Sequence, residues 1–128
     1  MLTSADLVAF VATRDLETAH RFYGGVLGFE RVEASSFANV YDAKGTQLRV
    51  TQVQALAPAP YTVLGWRVDD IDGEIEALEA AGVAFKRYDG MNQDGHGVWT
   101  SPSGARIAWF ADPEGNVLSL QATSTQAR

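Results

Sequence analysis

The chain has 128 residues, a formal net charge of −6, and hydrophobic and charged shares of 46% and 20%, ordinary values for one globular domain. The acidic balance argues against nucleic acid and anionic membranes as partners, because both require a basic surface. Cysteine is absent, which excludes thiolate metal ligands and a disulfide framework. The first residues lack a basic region and a long apolar run, so we expect a cytoplasmic protein with neither signal peptide nor membrane span.

The first half of the chain predicts a strand, a helix and three further strands. Residues 7–12 are almost continuously apolar, as in a strand covered on both faces. Thr13 or Asp15 caps the following helix, which has one apolar stripe and ends at glycines. The further strands are predicted at residues 29–33, 36–41 and 47–52.

A second strand–helix pattern follows an alanine- and proline-rich stretch. Residues 53–61 predict an extended linker. Residues 63–68 then predict a strand, and Asp69 or Asp70 caps a helix that ends at Gly82. Residues 83–88 predict a further strand. Residues 89–104 are polar and rich in glycine, so their first part should be a mobile loop, while residues 98–100 are strand-like. Long loops of this kind are often lids, and the sequence leaves open whether this one is.

The clearest single motif is a predicted β-hairpin at residues 105–121. Pro113 fixes φ at one turn position, and Gly115 or Asn116 supplies the positive φ that closes the turn. A shorter version of the same hairpin contains Asp42 and Gly45. Together with the repeated strand and helix, it predicts an α+β domain made of two tandem β-α-β-β-β modules, at about residues 5–52 and 62–122.

Two motifs carry a resemblance to a known family. The string DLETAHRFYGGVLGF at 15–29 and the string DPEGNVLSL at 112–120, within two such modules, resemble the vicinal oxygen chelate superfamily of glyoxalase I, bleomycin and fosfomycin resistance proteins and extradiol dioxygenases. The resemblance implies a curved mixed sheet, or half-barrel, around a cavity with the helices outside. It also implies a homodimer.

The same resemblance identifies where metal-dependent members place their ligands. These positions fall on Val8, Arg49, Val63 and Ser119 in this chain. Metal-dependent members use histidine or glutamate there, whereas this chain has two valines, a cation and a neutral hydroxyl. The expectation is therefore a protein without a metal or other cofactor.

Strand alternation separates a uniformly apolar face from a mixed face that would line the cavity. On the mixed face Arg49 is either an anchor for a ligand oxygen or half of a buried ion pair, and aromatic residues are either core or site. His96 is either an exposed loop residue or a general base that folds over the cavity. Hairpin pairing places Tyr41 and Asn39 opposite Gln47 and Arg49, and Trp109 and Ile107 opposite Val117 and Ser119, unless the register slips by one residue. The predicted ligand-binding residues are Arg49, Trp109, Tyr41, Phe10, Gln47, Ser119, Asn39 and His96.

Three functions are consistent with these residues. The first is a metal-independent protein that binds a small, planar or aromatic organic ligand with an acceptor for Arg49. The second is a metal-independent lyase or isomerase in which Arg49 stabilises an oxyanion, although the mixed face offers no partner base. The third is a divalent-metal enzyme whose ligands lie elsewhere than these positions. The missing base favours the binding protein, and catalysis remains an open alternative.

Overall fold

The computed structural model describes residues 1–123, which form two compact units with their boundary in the sequence between Pro58 and Ala59. This boundary lies within the alanine- and proline-rich stretch. Among the described residues no helix combines the length and apolarity needed to cross a membrane.

The first unit contains one α-helix and a four-stranded mixed sheet. Asp15 caps the helix by accepting from the backbone N–H groups of Glu17 and Thr18, as the sequence predicts. The sheet order is β1-β4-β3-β2, in which β1 and β4 are parallel and the other pairs antiparallel. The elements are β1 Val8–Thr13, α1 Leu16–His20, β2 Glu30–Ala34, β3 Ala38–Ala43 and β4 Thr46–Gln52.

The second unit repeats this topology. Its sheet order is β5-β8-β7-β6, again with the first pair parallel and the others antiparallel. Asp70 caps its helix, and Gly82 at φ 96° ends it, which confirms both expectations. The elements are β5 Thr62–Arg67, α2 Ile71–Ala80, β6 Trp99–Thr100, β7 Arg106–Ala111 and β8 Val117–Ala122. The α+β class and the duplication are thus confirmed.

Each sheet packs one face against its helix. In the first unit α1 lies on β3 and β4, and in the second unit α2 lies on β8. Leu48, Val50, Leu118 and Leu120 are buried there, as strand alternation predicts. We call this the helix face, and the opposite side of each sheet the open face.

The two hairpins close with different turns. In the first, Lys44 at φ 53° and Gly45 at φ 87° form a two-residue turn between the paired Ala43 and Thr46. The second turn contains five residues, and Gly115 supplies the predicted positive φ of 92°. Buried Asp112 organises it by accepting from the backbone N–H groups of Glu114 and Asn116, each at 3.0 Å.

The predicted strand at residues 83–88 is wrong. Its backbone makes one bond to β7, from Lys86 N–H to the Trp109 carbonyl at 2.7 Å, and two local backbone bonds, with Leu78 and Met91. Its other bonds are to one side chain. The Gln93 amide accepts from Tyr88 N–H at 2.8 Å and donates to the Lys86 and Gly97 carbonyls at 3.0 and 2.8 Å. Since one glutamine takes the place of a neighbouring strand, these backbone groups are satisfied without a ladder.

Hairpin register also differs from the prediction. In the first hairpin Tyr41 pairs with Leu48 and Asn39 with Val50, so the predicted pairing is wrong by one residue. A shift of one moves both side chains to the helix face. In the second hairpin Trp109 pairs with Ser119, two residues beyond the predicted partner Val117. A shift of two residues leaves the Trp109 side chain on the predicted face of the sheet.

Candidate ligand-binding groove

The open face of the second unit carries a groove of about 470 Å³. It runs along the parallel pair β5 and β8, where Gly65 lies beside Ser119 and Arg67 beside Gln121. The lining residues are Thr62, Val63, Leu64, Gly65, Trp66, Arg67, Ser119 and Gln121. We call this the polar groove.

Gly65 keeps the polar groove open next to Ser119. A Cβ atom at position 65 would lie 2.6 Å from the Ser119 Oγ, closer than side-chain atoms approach each other. Glycine therefore leaves room for the Ser119 hydroxyl, which makes no side-chain hydrogen bond within the described residues. This hydroxyl is available to donate to, or accept from, a bound molecule.

A second groove of about 240 Å³ adjoins the first, and the two share Thr62. The indole N–H of Trp109 donates to the Thr62 hydroxyl at 3.1 Å, which fixes the orientation of the indole ring. The ring of Tyr88 meets it edge-on at 5.5 Å, and that of Trp99 lies at 6.4 Å. We call this the aromatic groove, and its lining residues are Pro60, Tyr61, Thr62, Tyr88, Met91, Trp109 and Val117.

The polar groups of the two grooves are available for a ligand. Neither the Arg67 guanidinium nor the Gln121 amide has a hydrogen-bond or ion-pair partner within the part of the chain that the structure describes. Burial raises the pKa of Tyr88 above its usual value, so its hydroxyl stays protonated at neutral pH. The grooves thus place aromatic rings beside one cation and several neutral hydrogen-bonding groups.

The open face of the first unit carries Arg49. Strand pairing sets Phe10, Arg49, Val40 and Glu33 side by side across the sheet. Phe10 is 62% exposed, and no carboxylate forms an ion pair with Arg49 among residues 1–123. This removes the structural alternative in which Arg49 is locked in a buried ion pair. Gln47 lies on the same face as Arg49, two residues along β4.

Tyr41 and Asn39 belong to the helix face, contrary to the sequence-based placement. The Tyr41 hydroxyl lies 2.9 Å from His20 Nδ1, and the two rings stack at 5.9 Å. Burial lowers the pKa of His20, with a smaller effect from Arg31. Asn39 donates to the Leu16 carbonyl at 2.9 Å. These two residues tie β3 to α1.

His96 lies against α2 rather than over either groove. Its Nδ1 is 3.0 Å from an Asp72 carboxylate oxygen, and Arg106 donates two bonds to the same carboxylate at 2.9 and 3.1 Å. Hydrogen bonds from Arg106 and then His96 lower the pKa of Asp72 to about 2. The bond to Asp72 raises the pKa of His96. His96 is therefore held in a charge network on the helix side and is not placed as a base in the grooves.

The positions that hold metal in related enzymes do not fit a metal ion. Val8 and Val63 have no donor atom, Arg49 repels a cation, and the Ser119 hydroxyl is a weak neutral ligand. No cluster of three or more histidine, cysteine, aspartate or glutamate side chains that suits a metal occurs among the described residues. The residues present thus offer no set of donors for a divalent cation.

The structure therefore divides the predicted site residues into three groups. Trp109 and Ser119 line the grooves of the second unit, while Phe10, Gln47 and Arg49 share the open face of the first. Tyr41, Asn39 and His96 lie outside both sets. Sequence reasoning missed several groove residues. Strand alternation from Ser119 reaches Gly65, Arg67 and Gln121, whereas no periodic signal marks Tyr61, Tyr88 or Met91, which lie in irregular segments.

The sequence and the fold of this chain are similar to those of known proteins. The family model of the Glyoxalase/Bleomycin resistance protein/Dioxygenase superfamily matches residues 5–120. No curated protein matches. TnmS3, an antibiotic binding protein from Streptomyces sp. CB03234, is 27% identical with a TM-score of 0.72 over 97% of this chain and 99% of its own.

Two further solved structures share the fold. The bleomycin resistance determinant encoded on the transposon Tn5 is 18% identical, with a TM-score of 0.73 over 94% of this chain and 98% of its own. A lactoylglutathione lyase from Agrobacterium tumefaciens is 20% identical, with a TM-score of 0.71 over 95% and 96%. At these identities the likeness concerns the fold alone.

Proposed function

Because this chain belongs to the Glyoxalase/Bleomycin resistance protein/Dioxygenase superfamily, we propose that it binds a small organic ligand on its open faces without metal and without catalysis. The carrying observation is the pair of adjoining grooves in the second unit, of about 470 and 240 Å³. The larger volume lies within the usual range for ligand sites, about 300–1,000 Å³, and the smaller one is slightly below it; the combination of an apolar wall with a few polar groups is typical of such sites.

The groove chemistry favours binding over catalysis. Among the described residues that line either groove there is no aspartate, glutamate, histidine or lysine, so no group is placed as a general base near neutral pH. Tyr88 stays neutral because burial raises its pKa. The likeness to TnmS3, which is described as an antibiotic binding protein, supports the same choice.

The arrangement of groups indicates the ligand class. Trp109 and Tyr88 present aromatic surface for a planar ring system, because such rings stack or meet edge-on at the distances seen here. Arg67 offers a guanidinium, which pairs best with a carboxylate or carbonyl oxygen. Arg49 offers the same group on the open face of the first unit. We propose a planar organic molecule with at least one acceptor oxygen.

An unbiased ligand screen by native mass spectrometry tests this function, followed by titration of the ligand it finds. Trp109→Ala and Arg67→Ala should each weaken that ligand, by roughly 1–3 kcal/mol for the indole and roughly 2–4 kcal/mol for a desolvated guanidinium contact. Arg21→Ala, which removes an exposed cation from the end of α1, is the matched control and should leave affinity unchanged. Unchanged affinity in both groove variants would place the ligand elsewhere.

Arg49 receives its own test because it belongs to the other unit. Arg49→Ala should weaken a ligand that contacts it by roughly 2–4 kcal/mol, and Arg49→Lys should recover only part because two-pronged geometry is lost. Folding stability should change by less than about 0.5 kcal/mol, since no carboxylate pairs with this guanidinium within the described chain. A large loss of stability with unchanged affinity would exclude Arg49 from the site.

Metal independence is tested by elemental analysis of the dialysed protein. The donor sets described above predict no stoichiometric divalent ion. About one zinc, nickel, manganese or iron per chain would contradict the proposal and would return a metal-dependent enzyme to consideration.

One observation favours a second candidate, a metal-independent lyase or isomerase. Glu33 lies two strands from Arg49 on the same open face, with buried Val40 between them, so a substrate that spans the two side chains would meet a carboxylate and a guanidinium. The carboxylate would serve as the base and the guanidinium would hold an oxyanion. If the screened ligand is converted to product, and Glu33→Gln abolishes conversion while binding persists, this candidate replaces the first.

We also propose that the chain acts as a homodimer. Several large apolar side chains of the first unit are exposed, including Leu7 at 75%, Phe10 at 62% and Phe37 at 73%. A second copy of the chain would remove such surface from water, and two-fold pairing is the commonest way to do so. Light scattering at high micromolar concentration should give twice the mass of one chain, and a monomer would contradict the proposal.

A further inference from the structure

We propose that Asp72 and His96 are positioning residues, which latch the segment carrying Tyr88 and Met91 and so couple the shape of the aromatic groove to pH. This inference rests on the proposed function, because it concerns the same groove. The latch itself is defined by contacts within the second unit. The name latch refers to the five residues Asp72, Gln93, Asp94, His96 and Arg106.

The outer part of the latch is a charge network. Asp72 projects from α2 and receives Arg106 from β7 at 2.9 and 3.1 Å, and His96 from the loop at 3.0 Å. Arg106 also reaches an Asp94 oxygen at 3.5 Å. One carboxylate on the helix thus holds a strand residue and a loop residue together.

Asp94 transmits this attachment to the loop backbone. Its Oδ1 accepts from the N–H groups of His96 and Val98, each at 2.9 Å, and its carbonyl accepts from Gly97 N–H at 3.0 Å. The turn at 94–98 is therefore fixed by the same residue that Arg106 contacts. Movement of His96 away from Asp72 would act directly on this turn.

Gln93 connects the turn to the groove. Its amide bonds Gly97 on one side, and Lys86 and Tyr88 on the other, at 2.8–3.0 Å. Met91 follows through a bond from its N–H to the Tyr88 carbonyl at 3.2 Å. Tyr88 and Met91 line the aromatic groove, and Tyr88 meets Trp109 edge-on. A continuous set of contacts therefore leads from Asp72 to the groove wall.

His96 is the member of this network whose side-chain type ordinarily changes charge between about pH 5 and 8. The charged groups facing it are Asp72 and Glu76 from α2, the latter 3.9 Å from Nε2, with Asp94 from its own loop and Arg106 from β7. Arg87 also donates to the neighbouring Gly95 carbonyl at 2.9 Å. Three carboxylates favour the protonated ring, and their main effect, through the Asp72 hydrogen bond, is to raise the pKa of His96.

The charge of His96 determines whether the latch is stronger at low or at high pH. Below the ordinary histidine pKa of about 6.5 the ring is charged, and its ion pair with Asp72 is complete. As pH rises through the higher pKa of the folded protein the charge is lost, and the pair becomes a neutral hydrogen bond. Asp72 remains ionised throughout, because its pKa is about 2. The latch should therefore hold more firmly at about pH 6 than at about pH 9.

The decisive experiment measures amide hydrogen exchange in the full chain by NMR, with rates converted to protection factors to remove the intrinsic effect of pH. Protection of the Tyr88, His96, Gly97 and Val98 amides should fall about two- to five-fold between about pH 6 and about pH 9, the range typical of exposed ion pairs. His96→Gln should abolish this dependence. His20→Gln, which alters the other histidine, should retain it.

A second arm connects the latch to the groove. The probe is 8-anilinonaphthalene-1-sulfonate, a planar aromatic anion, titrated by fluorescence over the same pH range. Its affinity in the wild type should fall with the protection of Tyr88, and in Asp72→Asn it should be lowered with its pH dependence lost. Protection that is constant with pH, or that varies equally in His96→Gln, would overturn the proposal.

The two arms also separate this inference from the proposed function. If protection varies with pH but probe affinity stays constant, the latch does not position the groove wall and the inference fails. If the probe does not bind at any pH, the proposed groove function loses support, whereas the exchange data still decide whether the latch exists.

Discussion

The two units share strand order and strand directions, and the pair of adjoining grooves described above lies in the second unit. They differ most in the connection between helix and hairpin. In the first unit this connection is short and contains β2, whereas in the second it extends over residues 81–105 and is largely irregular. The two units thus have the same arrangement of strands and helix. The longer connection of the second unit adds an aromatic groove wall, a glutamine that replaces a strand, and a charge network.

The largest expected effect is the loss of stability when a buried leucine is removed from either sheet, and it tests whether the two sheets are packed equally well. Leu48 and Leu118 occupy matching positions on β4 and β8, and are 1% and 0% exposed. Leu48→Ala and Leu118→Ala should each cost roughly 2–5 kcal/mol of unfolding free energy, because each leaves a cavity in a packed face. Chemical denaturation measures both. Leu7→Ala, at a residue 75% exposed, is the control and should have little effect. A cost below about 1 kcal/mol in only one of the pair would contradict the equivalence.

The two hairpin turns should differ more than their sequences suggest. The Asp112 carboxylate is buried and accepts from the backbone N–H groups of Glu114 and Asn116 and from the Asn116 amide, whereas the exposed Asp42 carboxylate accepts from Gly45 N–H at 2.9 Å. Asp112→Ala should therefore cost about 2–3 kcal/mol, and Asp42→Ala below about 1 kcal/mol. Thermal or urea unfolding distinguishes the two. Equal losses of unfolding free energy would mean that the burial of Asp112 does not strengthen its hydrogen bonds.

The long connection of the second unit offers a third test. Gln93→Ala removes three hydrogen bonds and leaves backbone groups of residues 86, 88 and 97 without these partners, so it should cost about 1–2 kcal/mol. Gln47→Ala is the matched control from the first unit, because that side chain is exposed and makes no such bonds among the described residues. A loss no greater than that of the control would refute the role of Gln93 as a substitute for a strand.

The smallest expected effect concerns pH, and the two histidines should act with opposite sign. The folded pKa of His96 is raised, mainly by its bond to Asp72, so its contribution to stability is present below about pH 6.5 and is lost as pH rises through the folded pKa. The folded pKa of His20 is lowered, mainly by burial, so its contribution is present above about pH 6.5 and is lost as pH falls.

Melting temperatures between about pH 5.5 and about pH 8.5 check this difference. His96→Gln should make stability rise more steeply with pH than in the wild type, because it removes a contribution that decreases. His20→Gln should have the reverse effect. Asp72 adds a further loss below about pH 4, since its carboxylate must be protonated as pH falls towards its folded pKa of about 2. Parallel profiles for both histidine variants would contradict the two assignments.

Local rules of the sequence determined the frame of this protein. Asp15 and Asp70 cap the helices, and Gly82 and Gly115 take the positive φ that their positions require. Alternation along the strands separated the apolar helix face from the open face, since a period of two is fixed by the geometry of an extended chain. The duplication followed from the same signals. The capping, turn and alternation signals each depend on residues close together in sequence, and the duplication is their repetition in the second half of the chain.

Tertiary structure alone decided the details that shape the candidate site. The first hairpin is shifted by one residue, so Tyr41 lies against His20 instead of on the open face. Gln93 satisfies the backbone of residues 86–88 and prevents a strand there, and Asp72 draws His96 to the helix side. In each case a side chain distant along the sequence or outside any regular element supplies the partner. Pattern and periodicity contain no information about such partners, because these become neighbours only once the chain has folded.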